Sequence, residues 1–254
     1  LVGSEMCIRD RVYTAVVLSN EYAGVAGTSK TGEFKVRAFL ADDEAITSTT
    51  MTVKGTVDLD LLGKSVKIII ADTKTGGVYN TVYGEPMLAD INNIYTVSSN
   101  KKQTKAASFK EEVESEGVDS TTIHAGESAT PYANLEAVKA ATANGKIIEI
   151  IDNDGDGDVE YIMIKTPAIG QVTTYNANGN SGKGYITVAA KSAYPTGTTA
   201  ISAEKFEKVI GVEDVAKDDF IAFIKLNGTY FVEKLETVTD VVTKKVGNNE
   251  IVVA

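Results

Sequence analysis

Cysteine and histidine are nearly absent from this chain, which contains one of each, and tryptophan is missing altogether. A lone cysteine, Cys7, excludes an intrachain disulfide framework and a cluster of thiolate metal ligands. The single histidine, His124, has no second histidine with which to form a zinc site, and only Cys7 as a partner for a catalytic dyad. We therefore expect stability to come from packing and from bound ions.

Basic charge and long apolar runs are also scarce. The 254 residues carry 35 acidic and 25 basic side chains, for a net charge of −10, without a cluster of Lys and Arg with interleaved aromatics. Such a balance repels a phosphate backbone, so nucleic-acid binding is not expected. No apolar run has the length of a membrane span, so no membrane span is expected either. An acidic surface suits an extracellular protein that holds cations, and equally one that only needs solubility.

The first eleven residues, LVGSEMCIRDR, match neither a signal peptide nor the start of a domain. They resemble translated sequencing-adapter read-through, so we expect residues 1–11 to be an artefactual or disordered leader. Cys7 would then be foreign to the natural protein. The true N-terminus of the protein, with any signal peptide or anchoring module, would lie upstream of this sequence.

Period-two alternation of apolar and polar residues dominates from Val12 onward and predicts a mainly β protein with short helices. We expect two small antiparallel β-domains of barrel or sandwich type, at 12–100 and 132–254. A polar connector with one edge strand is expected between them, at 101–131. The predicted helical segments are 59–63, 134–144 and 202–210.

Turn-forming residues predict where some of the strands reverse. The dipeptide Asn227-Gly228 predicts a two-residue hairpin turn. Residues 78–84 and 92–99 are predicted to be a pair of strands, interrupted at Pro86, which belongs at an edge or in a loop.

The most distinctive stretch is KIIEIIDNDGDGDVEYIMIK, residues 146–165, in which two β-branched apolar runs flank a segment dense in aspartate. It predicts a β-hairpin whose turn is a metal loop. Oxygen-bearing side chains alternate along the turn as a six- to eight-coordinate hard cation requires, and Gly157 occupies the sixth position, where the sharp bend is needed. The candidate ligands are Asp152, Asp154, Asp156, Asp158 through its carbonyl, and Glu160.

Calcium is the expected ion of this loop, in a structural rather than a catalytic role. Carboxylates this close repel one another unless a cation lies among them, and no Lys or Arg interrupts the run. The twelfth position is Met163 instead of glutamate and both flanks are strands, so the loop is not an EF-hand. The alternative is an acidic turn without an ion, held by side-chain-to-backbone hydrogen bonds and glycine conformations.

The sequence does not indicate an enzyme. His124 lies in the polar connector without a partner for proton transfer. The lack of tryptophan argues against a sugar cleft with paired carboxylates for glycoside hydrolysis. We therefore expect no catalytic residues.

Three segments together resemble one known class of protein. These are VYTAVVLSNEYA near the start, IIDNDGDGDVEYIMI in the middle, and GVEDVAKDDFIAFIKLNGTYFVEKLETVTDVVTKK towards the end. In this order they resemble the region outside the S-layer-homology repeats in secreted surface proteins of gut Firmicutes. The resemblance covers most of the chain from Val12 onward.

This resemblance implies an exported, non-enzymatic structural protein of the bacterial cell surface. It implies self-association in a surface layer, and attachment to cell-wall polymers through S-layer-homology modules, none of which occurs in these 254 residues. The alternative function is a calcium-dependent module that binds carbohydrate or another surface ligand.

Overall fold

The computed structural model describes residues 11–25, 27–42, 44–97, 121–125, 147–157, 159–178, 183–190, 201, 204–237, 242–246 and 250–253. Strands dominate these residues, and their helical segments are two 3₁₀ turns, Leu59–Leu61 and Phe206–Lys208. The prediction of a mainly β protein is therefore confirmed. The helical turn predicted at 59–63 is present as the first of the two, whereas the helix predicted at 134–144 lies outside the described residues.

The described residues divide into two compact units. The first contains those up to Pro167 together with Ile224–Thr229. The second contains those from Ala168 onward, apart from that segment.

Five strands of the first unit pair in a closed ring, which makes a small barrel. They are β1 (Arg11–Ser19), β2 (Glu33–Ala41), β3 (Glu44–Lys54), β4 (Ser65–Thr75) and β5 (Val78–Leu88). Neighbours in the ring are antiparallel except β3 and β5, which meet in parallel at Val53 and Tyr79. Side chains alternate as the strand period requires: Phe34 and Val36 are fully buried, whereas Lys35 between them is exposed.

The partner of β5 differs from the prediction. β5 pairs with β4 across the Gly76-Gly77 turn, whereas the described part of the other predicted strand, Asn93–Val97, pairs with Ile148–Asp152. Both glycines have positive φ, +62° and +85°, which is the conformation of a tight hairpin turn and favours pairing of the adjacent strands. Pro86 falls in an irregular part of the β4–β5 pairing, where a residue without a backbone N–H is tolerated.

The other described strands of the first unit form a four-stranded sheet in the order β6-β8-β9-β7. They are β6 (Asn93–Val97), β7 (Thr121–Ala125), β8 (Ile147–Asp152) and β9 (Tyr161–Lys165). β8 and β9 form the predicted antiparallel hairpin, and β6 runs antiparallel to β8. β7 is the edge strand expected in the polar connector, but it runs parallel to β9, which the sequence did not indicate.

The division of the described residues differs from the predicted domain boundaries. β6 lies in the predicted first domain and β8 in the predicted second, yet the two strands pair from Asn93 with Asp152 to Val97 with Ile148. Since this pairing links distant parts of the chain, the Asp-rich hairpin belongs to the first unit, and the division follows Pro167. Arg11 was assigned to the leader, but it lies in β1; the rest of the leader lies outside the described residues.

The second unit contains most of a six-stranded sheet in the order β12-β11-β10-β14-β15-β13. Its strands are β10 (Ala168–Asn176), β11 (Tyr185–Ala190), β12 (Glu204–Lys205), β13 (Val209–Ile210), β14 (Phe220–Leu226) and β15 (Thr229–Lys234). Its core includes Val172, Ile186, Ile221 and Phe223. The predicted Asn227-Gly228 turn joins β14 to β15, and both residues have the positive φ that such a turn requires.

The helix predicted at 202–210 is wrong. Apolar residues at helical spacing suggested it, but Glu204 and Lys205 pair with β11, and Val209 and Ile210 pair with β15. Only Phe206–Lys208 between them is helical, as a single 3₁₀ turn. Tertiary pairing with two separate strands has overridden a weak local propensity, which a sequence pattern cannot anticipate.

The last described strands, β16 (Val242–Val246) and β17 (Glu250–Val253), pair in antiparallel orientation. Across the part of the chain that the structure describes, no helix combines the length and apolar character needed to cross a bilayer.

Candidate metal centre

The Asp-rich segment is the turn of the β8–β9 hairpin. β8 ends at Asp152 and β9 begins at Tyr161. The N–H of Glu160 donates to the carbonyl of Ile151 at 3.1 Å and closes the turn at its base. The strands on either side are buried on both faces, since Ile150, Ile151 and Ile162 are at most 1% exposed. A rigid apolar hairpin therefore presents a polar loop, which we call the Asp loop (residues 152–160).

Asp152 organises the Asp loop from within. Its side chain is 2% exposed, so its carboxylate must be satisfied by protein donors. Oδ1 accepts hydrogen bonds from the N–H groups of Asp154 at 3.3 Å and Gly155 at 2.6 Å. Oδ2 accepts from the N–H of Gly157 at 3.2 Å and from Nδ2 of Asn93 at 3.0 Å. The buried carboxylate thus holds the loop backbone wrapped around it.

Two glycines give the loop the conformation that this wrapping requires. Gly155 has φ +78° and Gly157 has φ +103°, values that side chains with a Cβ rarely adopt. The bend that was predicted at the sixth position, Gly157, is therefore present.

Three of the five predicted ligands converge. Asp152, Asp154 and Asp156 each offer a carboxylate oxygen, and these oxygens all lie within 4.8 Å of one another. Asp152 is buried, whereas Asp154 and Asp156 are exposed. The buried carboxylate of Asp152 and the exposed carboxylates of Asp154 and Asp156 could together hold a divalent cation, and we call these three carboxylates the acidic bowl.

The other two predicted ligands, Glu160 and Asp158, are not part of the converging group that the structure describes. Oε2 of Glu160 accepts a hydrogen bond from the N–H of Asn153 at 2.9 Å, so this carboxylate braces the loop backbone and lies outside the converging group of three. Asp158 lies outside the described residues.

The electrostatics of the loop are those of crowded like charges. Burial raises the pKa of the Asp154 carboxyl, and the charges of Asp156 and Asp152 raise it further, against the effect of a backbone hydrogen bond at Asp156. Burial also raises the pKa of Glu160; the hydrogen bond from Asn153 opposes this, while the three aspartates add to it. The ionised forms of the Asp154 and Glu160 carboxyls are therefore disfavoured in the folded protein, and a cation among the carboxylates would reduce this electrostatic cost.

Residues far from the loop in sequence complete its surroundings, and sequence reasoning missed them. Asn93 reaches Asp152 because β6 pairs with β8, and Ser65 at the start of β4 donates from Oγ to the carbonyl of Asn153 at 2.6 Å. Asn153 is itself 5% exposed, and its Nδ2 has no protein hydrogen-bond partner among the described residues. Asparagine and serine beside strands are common, so no sequence signal marked them.

A second cluster of charged side chains lies beside the same hairpin. Nζ of the buried Lys64 lies 2.9 Å from Oε2 of Glu149. Nζ of Lys165 lies 3.6 Å from the other Glu149 oxygen and also pairs with Asp60. Burial lowers the pKa of Lys165, but Glu149 and Asp60 outweigh this, so its pKa is raised. A lysine held protonated in a balanced ion network is suited to fixing structure, and it is a poor base or nucleophile.

His124 lies in β7, opposite Ile164 of β9. No group of three potential metal-ligating side chains other than the three aspartates occurs in the described part of the chain.

Comparison with known proteins finds no match for this chain among protein families, curated proteins or solved structures.

Proposed function

We propose that this chain is a non-enzymatic structural component of a bacterial cell surface, of the S-layer type, and that its Asp loop binds a structural calcium ion. The observation that carries the proposal is the convergence of the Asp152, Asp154 and Asp156 carboxylates in the turn of a buried hairpin. The sequence resemblance described above supports the location and the class.

The chemistry of the bowl favours a hard cation. Its donors are carboxylate oxygens, which suit calcium or magnesium better than a transition metal. Two of the four hydrogen bonds to Asp152 are 3.2 and 3.3 Å long, at the weak end of the range, which leaves this carboxylate capacity to coordinate an ion. Three carboxylates of one loop suit calcium, which accepts varied coordination geometry, better than magnesium, which demands near-ideal octahedral geometry.

The position of the bowl supports a structural role for the ion. The loop joins two strands of one hairpin, and one of its hydrogen bonds reaches β6, so an ion here would hold three strand ends in place. A chain with one cysteine has no disulfide to do this. A calcium site of modest affinity, about 0.1–1 mM, would suffice outside the cell.

Self-association in a surface layer and attachment to wall polymers through further modules belong to the same proposal. They rest on the resemblance of the three quoted segments. The acidic net charge of −10 is compatible with a layer whose copies are bridged by divalent cations.

The exposure of Asp154 and Asp156 favours a second candidate function. An ion held by a buried Asp152 and two exposed carboxylates would keep an open side, where hydroxyl groups of a carbohydrate or another surface ligand could complete its coordination. A glycan array with calcium and with chelator separates the two functions. Binding that needs calcium favours the ligand module, and its absence favours the scaffold.

The test of the proposed site is thermal unfolding in calcium and in EGTA. We expect calcium to raise the melting temperature of the wild type, and the double variant Asp154→Asn/Asp156→Asn to show no calcium effect. Because both side chains are exposed and the substitutions reduce the repulsion among the carboxylates, the variant should melt no lower than the wild type in EGTA. A wild type whose melting temperature does not respond to calcium would overturn the assignment.

A further inference from the structure

The Asp loop is attached to the barrel by a buried serine. Ser65 opens β4 and is fully buried, and its Oγ donates to the carbonyl of Asn153 at 2.6 Å. A hydroxyl without solvent access makes this bond at full strength, because no water competes for it. The backbone of the loop, between Asp152 and Asp154, is therefore fixed to the first residue of a barrel strand.

Ser65 is in turn held by an asparagine. Oδ1 of Asn92 accepts from the N–H of Ser65 at 2.8 Å, and Nδ2 of Asn92 donates to the carbonyls of Ser65 at 2.8 Å and Ala89 at 2.7 Å. One side chain thus satisfies both backbone groups of Ser65.

The next residue in the chain, Asn93, holds the other side of the loop. Its Nδ2 donates to Oδ2 of Asp152 at 3.0 Å and so helps to set the orientation of the carboxylate that anchors the acidic bowl. Consecutive asparagines therefore contact a barrel strand with one side chain and a candidate metal ligand with the other. The same segment also packs against the loop, since a Cβ on Gly155 would lie 3.0 Å from the carbonyl oxygen of Ile91.

We propose that cation binding in the Asp loop is coupled to the junction between the barrel and the four-stranded sheet through Asn92, Asn93 and Ser65. The inference rests on the proposed function, because it takes the loop to bind calcium. Asn93 and Ser65 are positioning residues for the site: they fix Asp152 and the backbone of Asn153 before the ion arrives. Partners of this kind alter metal affinity when they are removed.

The coupling works in both directions. If the contacts of the junction strengthen calcium binding, calcium must strengthen those contacts by the same factor. Calcium should therefore slow hydrogen exchange in the loop and also at the amide of Ser65 and along residues 89–93, which hold no candidate ligand. If calcium slowed hydrogen exchange only within residues 152–160, the ion would stabilise the loop alone and would not be coupled to the junction.

The experiment combines calcium titration calorimetry with hydrogen–deuterium exchange on the full chain, with calcium chloride as the probe. Asn93→Ala is the main variant, because this exposed side chain can be truncated with little risk to folding. Ser65→Ala is the second variant, and Asn178→Ala, at an exposed asparagine of the second unit, is the matched control. We expect Asn93→Ala and Ser65→Ala to weaken calcium binding about tenfold, and Asn178→Ala to leave it unchanged.

Exchange provides a result that loss of stability alone would not produce. In the wild type, calcium should protect both the loop and residues 65 and 89–93, and in Asn93→Ala the protection outside the loop should be lost. If calcium binds to the wild type but protects only the loop, and Asn93→Ala binds it as tightly, the coupling is wrong and the calcium site stands. If the wild type does not bind calcium, both the site and the coupling are wrong.

Discussion

Asn93 and Asp152 face each other across β6 and β8, and Nδ2 of Asn93 donates a hydrogen bond of 3.0 Å to Oδ2 of Asp152 over 59 positions of sequence. The conformation of the Asp loop therefore depends on residues outside the loop as well as on its own. Its anchoring carboxylate is oriented by the strand beside the hairpin, and that strand begins next to the residue that clamps β4. This places the candidate metal centre at a junction within the first unit.

Asp152→Asn should destabilise the protein even without calcium, unlike changes at the exposed aspartates. Asp152 is buried and accepts four hydrogen bonds, and an amide would turn an N–H₂ group towards some of those donors. Leaving buried donors unsatisfied costs about 1–3 kcal/mol. Urea unfolding in chelator should show a loss in this range for Asp152→Asn and almost none for Asp154→Asn. Equal losses for the two variants would contradict the anchoring role of Asp152.

Gly155→Ala should reduce the free energy of unfolding and weaken calcium binding. The residue has φ +78°, and a side chain in this conformation costs about 1–2 kcal/mol. The added methyl group would also meet the carbonyl oxygen of Ile91 at 3.0 Å. Gly32→Ala is the matched control, since Gly32 has φ +74° with nothing within 4 Å of the added Cβ. Urea unfolding should show the larger loss for Gly155→Ala, and equal losses would mean that the contact with Ile91 is unimportant.

In the calcium-free protein, the contribution of Asp154 and Glu160 to stability should decrease as pH rises through their pKa values. Both pKa values are raised in the folded state, above the ordinary 3.8 and 4.5, so the folded protein binds these protons more tightly than the unfolded chain. This contribution is fully present below the ordinary values and disappears as pH rises through the raised ones. Urea unfolding in metal-free buffer should measure it.

The control for this pH dependence is Asp154→Asn/Glu160→Gln, which removes both titrations while Gln keeps an acceptor for the Asn153 N–H. The wild type should lose stability relative to this variant as pH increases from about 4 towards neutrality. A wild type that gained stability over the variant across this window would contradict the crowding of charges in the loop.

Lys64→Met should destabilise the first unit because Glu149 would lose its closer lysine partner and keep only Lys165. Removing one partner of a buried ion pair costs about 3–5 kcal/mol, and the continued presence of Lys165 places the expected loss at the low end, about 3 kcal/mol. Lys35→Met, on the exposed side of β2, should change stability by less than about 0.5 kcal/mol. Urea unfolding that gave similar values for the two variants would show that the network contributes little.

The sequence predicted those features that depend on local pattern. Alternation identified the strands, the Asn227-Gly228 dipeptide marked the turn between β14 and β15, and the spacing of aspartates located the loop. Each of these signals lies within a few residues of the structure that it specifies.

Features that depend on distant pairing could not be predicted. Because β6 pairs with β8, the hairpin lies in the first unit and not in the second domain, where it was predicted. Residues 204–205 pair with β11 and residues 209–210 pair with β15, where a helix at 202–210 was predicted. The contacts of Ser65 and Asn93 with the loop follow from the same long-range pairing. Of the candidate ligands, Glu160 was grouped with the aspartates by spacing alone, whereas its carboxylate accepts the N–H of Asn153.

The central claim is that Asp152, Asp154 and Asp156 hold one calcium ion, and calcium titration calorimetry of the wild type beside Asp154→Asn/Asp156→Asn tests it most directly. We expect one ion per chain with a dissociation constant of about 0.1–1 mM for the wild type, and no measurable binding for the variant. Absence of calcium binding by the wild type, or binding that the double variant retains, would contradict the account.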